Sequence, residues 1–411
     1  MKYKDLIPVF IIYCLVAIYA TLLCYPKLIG YPIITCLALS IFSLRKDAFA
    51  KSWIFALWLP IVLLATWLIG MLYTDNMPAG WFDIEKRLPI ILLPFIIFLN
   101  CNIILQSITN VRMYIVIVTI INCLACIVLA LVEKIQTGYN TFHYQYLSKF
   151  IHPSYLALAI NAAIILILQH HMRFFKRRVW YYATLIFLIL FQLRLDAKAG
   201  IIVMLLILGG YLAISLLKKP DKQKFRIAFF ITAAVVLVLG GLEAKYNRIG
   251  SMIKALTEKE LNPQSEDSNE LRILIWRSVV PYMKEHVIAG SGTGDATDVM
   301  MQMYTQRNIT HAVKNQLNVH SQYFEFMVAG GLVCILPFLF YLLYPLFISL
   351  RRLYWEHVFI CLLFILNFAV ESMLETAAGA GLFALIFNLT LLNLHHRINN
   401  THAHANALAE D

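Results

Sequence analysis

The feature that most constrains this chain is the recurrence, from Leu6 to Leu394, of apolar runs separated by short polar segments. A hydrocarbon core of about 30 Å is crossed by about 20 apolar residues in an α-helix, and runs of that order follow one another along the sequence. No water in that core can satisfy backbone groups, so only helices or closed barrels span it; these runs lack the alternation of a barrel strand. Hydrophobic residues make up 61% of the chain and charged residues 14%, with a mean hydropathy of +0.73, which excludes a water-soluble fold. The sequence predicts an all-α polytopic membrane protein with about twelve transmembrane helices, at roughly 6–24, 28–44, 53–73, 88–105, 113–133, 154–171, 179–195, 198–217, 227–244, 321–349, 355–373 and 378–394.

These spans divide the chain into residues 1–244 with spans 1 to 9, a large polar loop at 245–320, spans 10 to 12 at 321–394, and a short polar tail at 395–411. The first run follows Met1-Lys2-Tyr3-Lys4-Asp5 and imitates a signal peptide, but Tyr25-Pro26-Lys27 offers no small-residue cleavage site, so it reads as an uncleaved span. An even number of spans places both termini on one side. That side collects Arg45, Lys46, Arg112, Arg173, Lys176, Arg177, Arg178, Arg351, Arg352 and the basic residues of 218–226, which makes it cytoplasmic by the positive-inside rule. The large loop then faces the outer side, which in a bacterium with an outer membrane is the periplasm.

The net charge of +11 lies between the apolar runs rather than on a soluble face, so a nucleic-acid partner is not implied. All eight cysteines fall in or at the ends of apolar runs; Cys123 and Cys126 form a CxxC by spacing alone and read as helix-packing residues. No metal site is implied, and the outer segments lack a clustered acidic set of the kind that holds Mg²⁺. His395, His396, His402 and His404 read as part of a solvated, irregular end.

Chemistry concentrates in the large loop. Residues 269–286 have the apolar spacing of an amphipathic helix, capped by Asp267, Ser268 or Asn269, with Arg272 and Trp276 four apart on one face; a second amphipathic piece runs over about 296–306. Gly290-Ser291-Gly292-Thr293-Gly294 lacks the Gly-Lys-Ser/Thr ending of a nucleotide-binding loop and reads as a turn that lets backbone approach backbone or ligand. His320 closes the loop where span 10 begins, at the membrane interface. From position alone it reads equally as a structural interface histidine or as a general base. Arg272 and Lys198, with Arg194, Lys86 and Arg87 in reserve, are the outer cations suited to a diphosphate, whose charge grows as it leaves; lipid head-group anchoring is the alternative for any one of them.

Together these passages resemble the bacterial O-antigen ligase and Wzy-type polymerase superfamily. The resemblance rests on Lys198-Ala199-Gly200 between two central spans, Arg272 to Trp276, the glycine turn, and His320-Ser321-Gln322-Tyr323-Phe324 with Gly331 behind. Gly292-Thr293-Gly294-Asp295, His152-Pro153-Ser154-Tyr155 and Glu85-Lys86-Arg87 look most like the Bacteroidetes branch. Two positions depart from the common pattern: Ala197-Lys198 stands where serine and arginine are usual, and Ser321 where asparagine is usual. The resemblance implies a GT-C-like glycosyltransferase that needs no cofactor or metal. Its donor would be an undecaprenyl-diphosphate-linked glycan and its acceptor a sugar hydroxyl on the lipid A core. A polymerase joining lipid-linked units, a protein O-oligosaccharyltransferase and a non-enzymatic transporter of the same lipid are the alternatives. In this reading His320 is the catalytic residue, Arg272, Lys198, Arg194, Arg87 and Lys86 bind the diphosphate, and His152, Tyr155, Trp276, Gly292, Gly294, Ser321 and Tyr323 support them.

Overall fold

The computed structural model describes residues 3–42, 51–175, 177–218 and 261–410, and these are helical without a β-strand. The span expected at 227–244, loop residues 245–260, and the basic residues Lys2, Arg45, Lys46, Lys176 and 219–226 lie outside the described residues. The helices are α1 (Tyr3–Cys24), α2 (Gly30–Phe42), α3 (Lys51–Met71), α4 (Met77–Arg87), α5 (Pro89–Leu99), α6 (Cys101–Gln106), α7 (Ile108–Thr137), α8 (Tyr144–Leu147), α9 (Pro153–Phe174), α10 (Arg178–Leu195) and α11 (Lys198–Lys218). After the undescribed segment come α12 (Ser268–Glu285), α13 (Ala296–Gln306), α14 (Thr310–Lys314), α15 (Gln322–Arg351), α16 (Trp355–Val370) and α17 (Ala377–Glu410).

Among the described residues, seven helices are long and apolar enough to cross a membrane: α1, α7, α9, α10, α11, α15 and α17. Shorter apolar helices occupy α2 with the turn before it, the second part of α3, and α16. The run expected at 88–105 is not one helix. α5 and α6 meet at Asn100, whose side-chain amide donates to the Ile96 carbonyl at 2.8 Å and to Ser40 Oγ at 2.7 Å, fixing a non-helical junction. The stretch after α3, expected as a loop, is helix α4; Asn76 caps it by accepting from the Ala79 N–H, and Pro78 sits where a missing N–H costs nothing. The tail, expected to be irregular, continues α17 to Glu410; it has no Gly or Pro, and its alternate alanines are strong helix formers.

α9 and α17 form the buried centre of the bundle, whereas α10 presents most of its surface outward. α17 packs most extensively on α5, and α15 on α16 and α3. Aromatic rings lock α15, α16 and α17 edge to face, with Phe364 and Phe383 centroids 5.1 Å apart and Tyr341 and Phe387 5.4 Å apart. At the bundle end away from the large loop, Arg112 of α7 meets the Glu356 carboxylate of α16 at 2.7 Å, joined by His170 of α9 at 3.1 Å. A buried pair of this kind holds only when neighbouring hydrogen bonds satisfy it, and Tyr354 and Asn393 extend the network.

The large loop has a small apolar core of its own. Leu271, Ile275 and Val279 of α12 pack on Ala296, Met300 and Tyr304 of α13, and the cluster reaches α15 through Val328 and Ala329. There α15, expected to be continuous, is broken at Gly331, where φ is +54° and ψ −145°. The freed carbonyls of Val328 and Ala329 accept from the Ser291 and Gly292 N–H groups. The freed N–H groups of Leu332 and Val333 donate to Val287 and Ile288. These four backbone groups at the break are thus paired again, as a low-dielectric setting demands.

Candidate active site

The glycine turn is the first part of the site to be explained by packing. Gly290 and Gly292 have φ of +65° and +105°, which side-chain-bearing residues rarely adopt. A Cβ on Gly290 would lie 2.5 Å from the Val328 carbonyl oxygen, and one on Gly294 would lie 2.2 Å from that of Asn76. The turn therefore clamps the broken α15 to the α3–α4 corner. Asp295 reinforces it by accepting from the Asp75 and Asn76 N–H groups at 2.9 and 2.7 Å, and Thr293 donates to the Trp67 carbonyl at 2.7 Å.

α12 begins where Asp267 accepts from the Asn269 and Glu270 N–H groups. With Leu271, Ile275 and Val279 turned into the loop core, Arg272 and Trp276 share another face. The Trp276 indole donates to the Val319 carbonyl at 2.8 Å, and its ring meets Phe324 edge to face at 5.7 Å. Trp276 thereby fixes the peptide just before His320. His320 itself is held at φ +50°, with its N–H donating to Asn318 Oδ1 at 3.0 Å. A histidine in the left-handed region stores strain, which persists only where surrounding contacts impose it.

The other side of His320 is fixed by the chain after α16. The Ser321 N–H donates to Ser372 Oγ at 3.2 Å, and the Leu374 N–H donates to Gln322 Oε1 at 2.7 Å. This docking sets Glu371 opposite the imidazole, with Nδ1 and Oε1 3.8 Å apart. At that separation the two atoms are too far apart for a direct hydrogen bond, and Nδ1 is buried without a hydrogen-bond partner. Burial raises the Glu371 pKa, but His320, His152 and Arg272 outweigh it and hold the carboxyl below its ordinary value. Glu371 is therefore ionised at neutral pH.

His152 lies within reach of the same charges. Its Nδ1 accepts from the Ser154 N–H at 3.3 Å, which puts the proton of the neutral ring on Nε2. Desolvation lowers the His152 pKa, Glu371 opposes this, and His320 and Arg272 add to it. His152 packs edge to face on Tyr155 at 5.8 Å and on Tyr144 at 6.3 Å. Arg272 Nε is buried without a hydrogen-bond partner, an orphan donor beside the paired His320 and Glu371. Lys198 Nζ donates to Ser268 Oγ at 3.3 Å, one helical turn before Arg272 on α12.

The other sequence-predicted residues are placed differently. Arg87 is 1% exposed, stacked over the Trp67 and Phe326 rings at 5.4 Å each, with Nη2 2.5 Å from Glu375 Oε1. Burial opposes its charge, but Glu375 and Asp83 more than offset that and raise its pKa. Lys86 pairs with Asp83 at 2.6 Å and reaches Glu375 at 3.8 Å. Both cations are thus committed to carboxylates. Arg194 is exposed in the last turn of α10, and Tyr323 donates to the Ile365 carbonyl at 2.9 Å, tying α15 to α16.

The pairing of Glu371 with His320, and the places of Ser372 and Tyr144 in the site, were not read from the sequence. The available signal for Glu371 was the cost of a carboxylate at the edge of an apolar run, where an ionised group implies a partner. Among the described residues no three His, Cys, Asp or Glu side chains are grouped so as to hold a metal ion.

Residues 183–339 match the family profile described as O-antigen ligase, an interval that contains Lys198, Arg272, Trp276, the glycine turn and His320. No curated protein matches the chain. The sequence of short motifs, the all-helical architecture with helices fit to cross a membrane, and this match agree: residues 183–339 of the chain are similar to the O-antigen ligase family.

Proposed function

We propose that the chain is an O-antigen ligase-like glycosyltransferase of the inner membrane, GT-C-like with twelve spans, both termini cytoplasmic and the site on the periplasmic face. It moves a glycan from an undecaprenyl-diphosphate carrier to a sugar hydroxyl of the lipid A core. The observation that carries this reading is the His320 imidazole facing Glu371, with the buried, unpartnered Arg272 Nε beside them.

In this mechanism Glu371 faces Nδ1 and favours the ring as it becomes charged, leaving Nε2 to take the proton of the acceptor hydroxyl. The hydroxyl oxygen forms a bond to the anomeric carbon as the bond from that carbon to the carrier phosphate breaks, and direct displacement inverts the centre. The electron pair of the broken bond stays on the lipid diphosphate, whose growing charge is met by Arg272 and Lys198. Fixed cations in a partly dehydrated site stabilise such charge without reorganising. Arg87, Lys86 and Asp83 act one layer away, holding Glu375 and through it Gln322 at the start of α15. The reaction needs no metal.

The test supplies purified protein in proteoliposomes with a defined undecaprenyl-diphosphate-linked oligosaccharide and, in separate reactions, lipid A core or a second lipid-linked unit. Glycan on lipid A core is the expected product. Elongated lipid-linked glycan alone would replace the ligase reading with a polymerase one, and no transfer to either would overturn both.

A further inference from the structure

The outer segment between α7 and α9 carries aromatic side chains that the catalytic chemistry does not use. Tyr139 is 78% exposed, Tyr146 56% and Tyr144 38%. The segment is not loose: the Thr141 hydroxyl donates to the Ala130 carbonyl, that of Ser148 donates to the Ile151 carbonyl, and Lys149 pairs with Glu133. It ends in His152, which lies within the charge cluster of His320, Glu371 and Arg272.

Tyr144 is the distinctive residue here. Its φ is +41°, a conformation costly for a bulky side chain, and no glycine has taken its place. Its ring stands edge-on to His152 at 6.3 Å, and its hydroxyl experiences the fields of Glu371, Arg272 and Asp196. A belt of tyrosines anchored among lipid head groups would need exposure but not this strained backbone or this neighbourhood.

We propose that Tyr144, with the edge of His152, forms a subsite for the sugar ring adjacent to the reacting bond. The aromatic face carries negative charge density and suits the apolar C–H face of a pyranose, while the phenol and the His152 Nε2–H meet its hydroxyls. The backbone at Tyr144 sets its ring against His152, which itself neighbours His320 and Glu371. This rests on the glycosyl-transfer reading for the identity of the ligand, but the contact is with sugar and not with diphosphate.

The experiment compares two lipids that differ only in sugar. Binding of undecaprenyl diphosphate and of an undecaprenyl-diphosphate-linked oligosaccharide is measured on protein in nanodiscs, alongside binding of lipid A core oligosaccharide, for wild type, Tyr144→Ala, Tyr144→Phe and Tyr144→Gly. Tyr144→Ala is expected to weaken at least one sugar-bearing ligand by about fivefold, the scale of one aromatic contact, with bare lipid diphosphate unchanged. Loss confined to the core oligosaccharide assigns the subsite to the acceptor, and loss confined to the lipid-linked sugar assigns it to the donor. Tyr144→Phe is expected to lose less than Tyr144→Ala. Tyr144→Gly, relieved of the positive-φ strain, is expected to melt no earlier than wild type while binding sugar as poorly as Tyr144→Ala. Unchanged sugar binding in Tyr144→Ala and Tyr144→Gly, with normal melting, overturns the subsite even if transfer proceeds. Because binding is read without turnover, failure of the transfer assay leaves this result independently legible.

Discussion

Glu371→Gln isolates the charge opposite His320 from its shape. The pair is separated by 3.8 Å; with an effective dielectric of about 20, Coulomb's law gives about 4 kcal/mol between full charges at that distance. The side chains are 22% and 13% exposed, so water screens part of this. If about half survives, about 2 kcal/mol of stabilisation is available when the imidazole takes the acceptor proton, a factor of about 30 in rate. The interaction gains strength only as the ring becomes charged, so kcat should fall by about that factor while the acceptor KM stays within about twofold. The assay is transfer from a lipid-linked oligosaccharide to lipid A core in proteoliposomes, with melting curves to establish that the variant is folded. A folded Glu371→Gln protein with wild-type kcat would refute the argument, and a rise in KM alone would assign Glu371 to binding instead.

The same carboxylate predicts a pH dependence of stability. Its pKa is depressed in the folded protein, so its contribution is complete above the unfolded value of about 4.3 and is lost as pH falls through the lower folded value. The melting difference between wild type and Glu371→Gln should therefore hold at pH 7 and shrink below about pH 4; a difference that grows on acidification contradicts the assignment. Arg87→Met strands Glu375 in a buried site and should destabilise by about 3–5 kcal/mol, whereas Arg87→Met with Glu375→Leu should recover most of the loss in a denaturation cycle. Gly294→Ala drives a methyl group into the Asn76 carbonyl and should abolish the folded protein or lower its melting temperature sharply, as read by thermal melts. Arg272→Ala and Lys198→Ala should each lower transfer by at least about tenfold. Wild-type transfer should be unchanged with a chelator present throughout, and a loss restored by Mg²⁺ would contradict the metal-free mechanism.

The parts of the fold legible in the sequence were those governed by local periodicity. The helix expected over 269–286 is α12 at Ser268–Glu285, and the piece expected over about 296–306 is α13 at Ala296–Gln306. The glycine turn was legible as a close-approach device, but not what it approaches: the α3–α4 corner is more than two hundred residues away in sequence. Breaks inside apolar runs were hidden, because Asn100 and Gly331 interrupt a helix through partners that only the folded chain supplies. The roles of charged residues were least legible. Arg87 and Arg272 look alike in sequence, yet one is locked to Glu375 and the other keeps a buried Nε without a hydrogen-bond partner. Which cation meets which carboxylate is a tertiary fact, and so is the pairing of Glu371 with His320.

The central claim concerns the imidazole, and single-turnover transfer by purified His320→Ala tests it most directly. With undecaprenyl-diphosphate-linked oligosaccharide bound and lipid A core in excess, the variant is predicted to bind donor as wild type does and to form no product. Product formation at the wild-type rate by the folded variant would contradict the account.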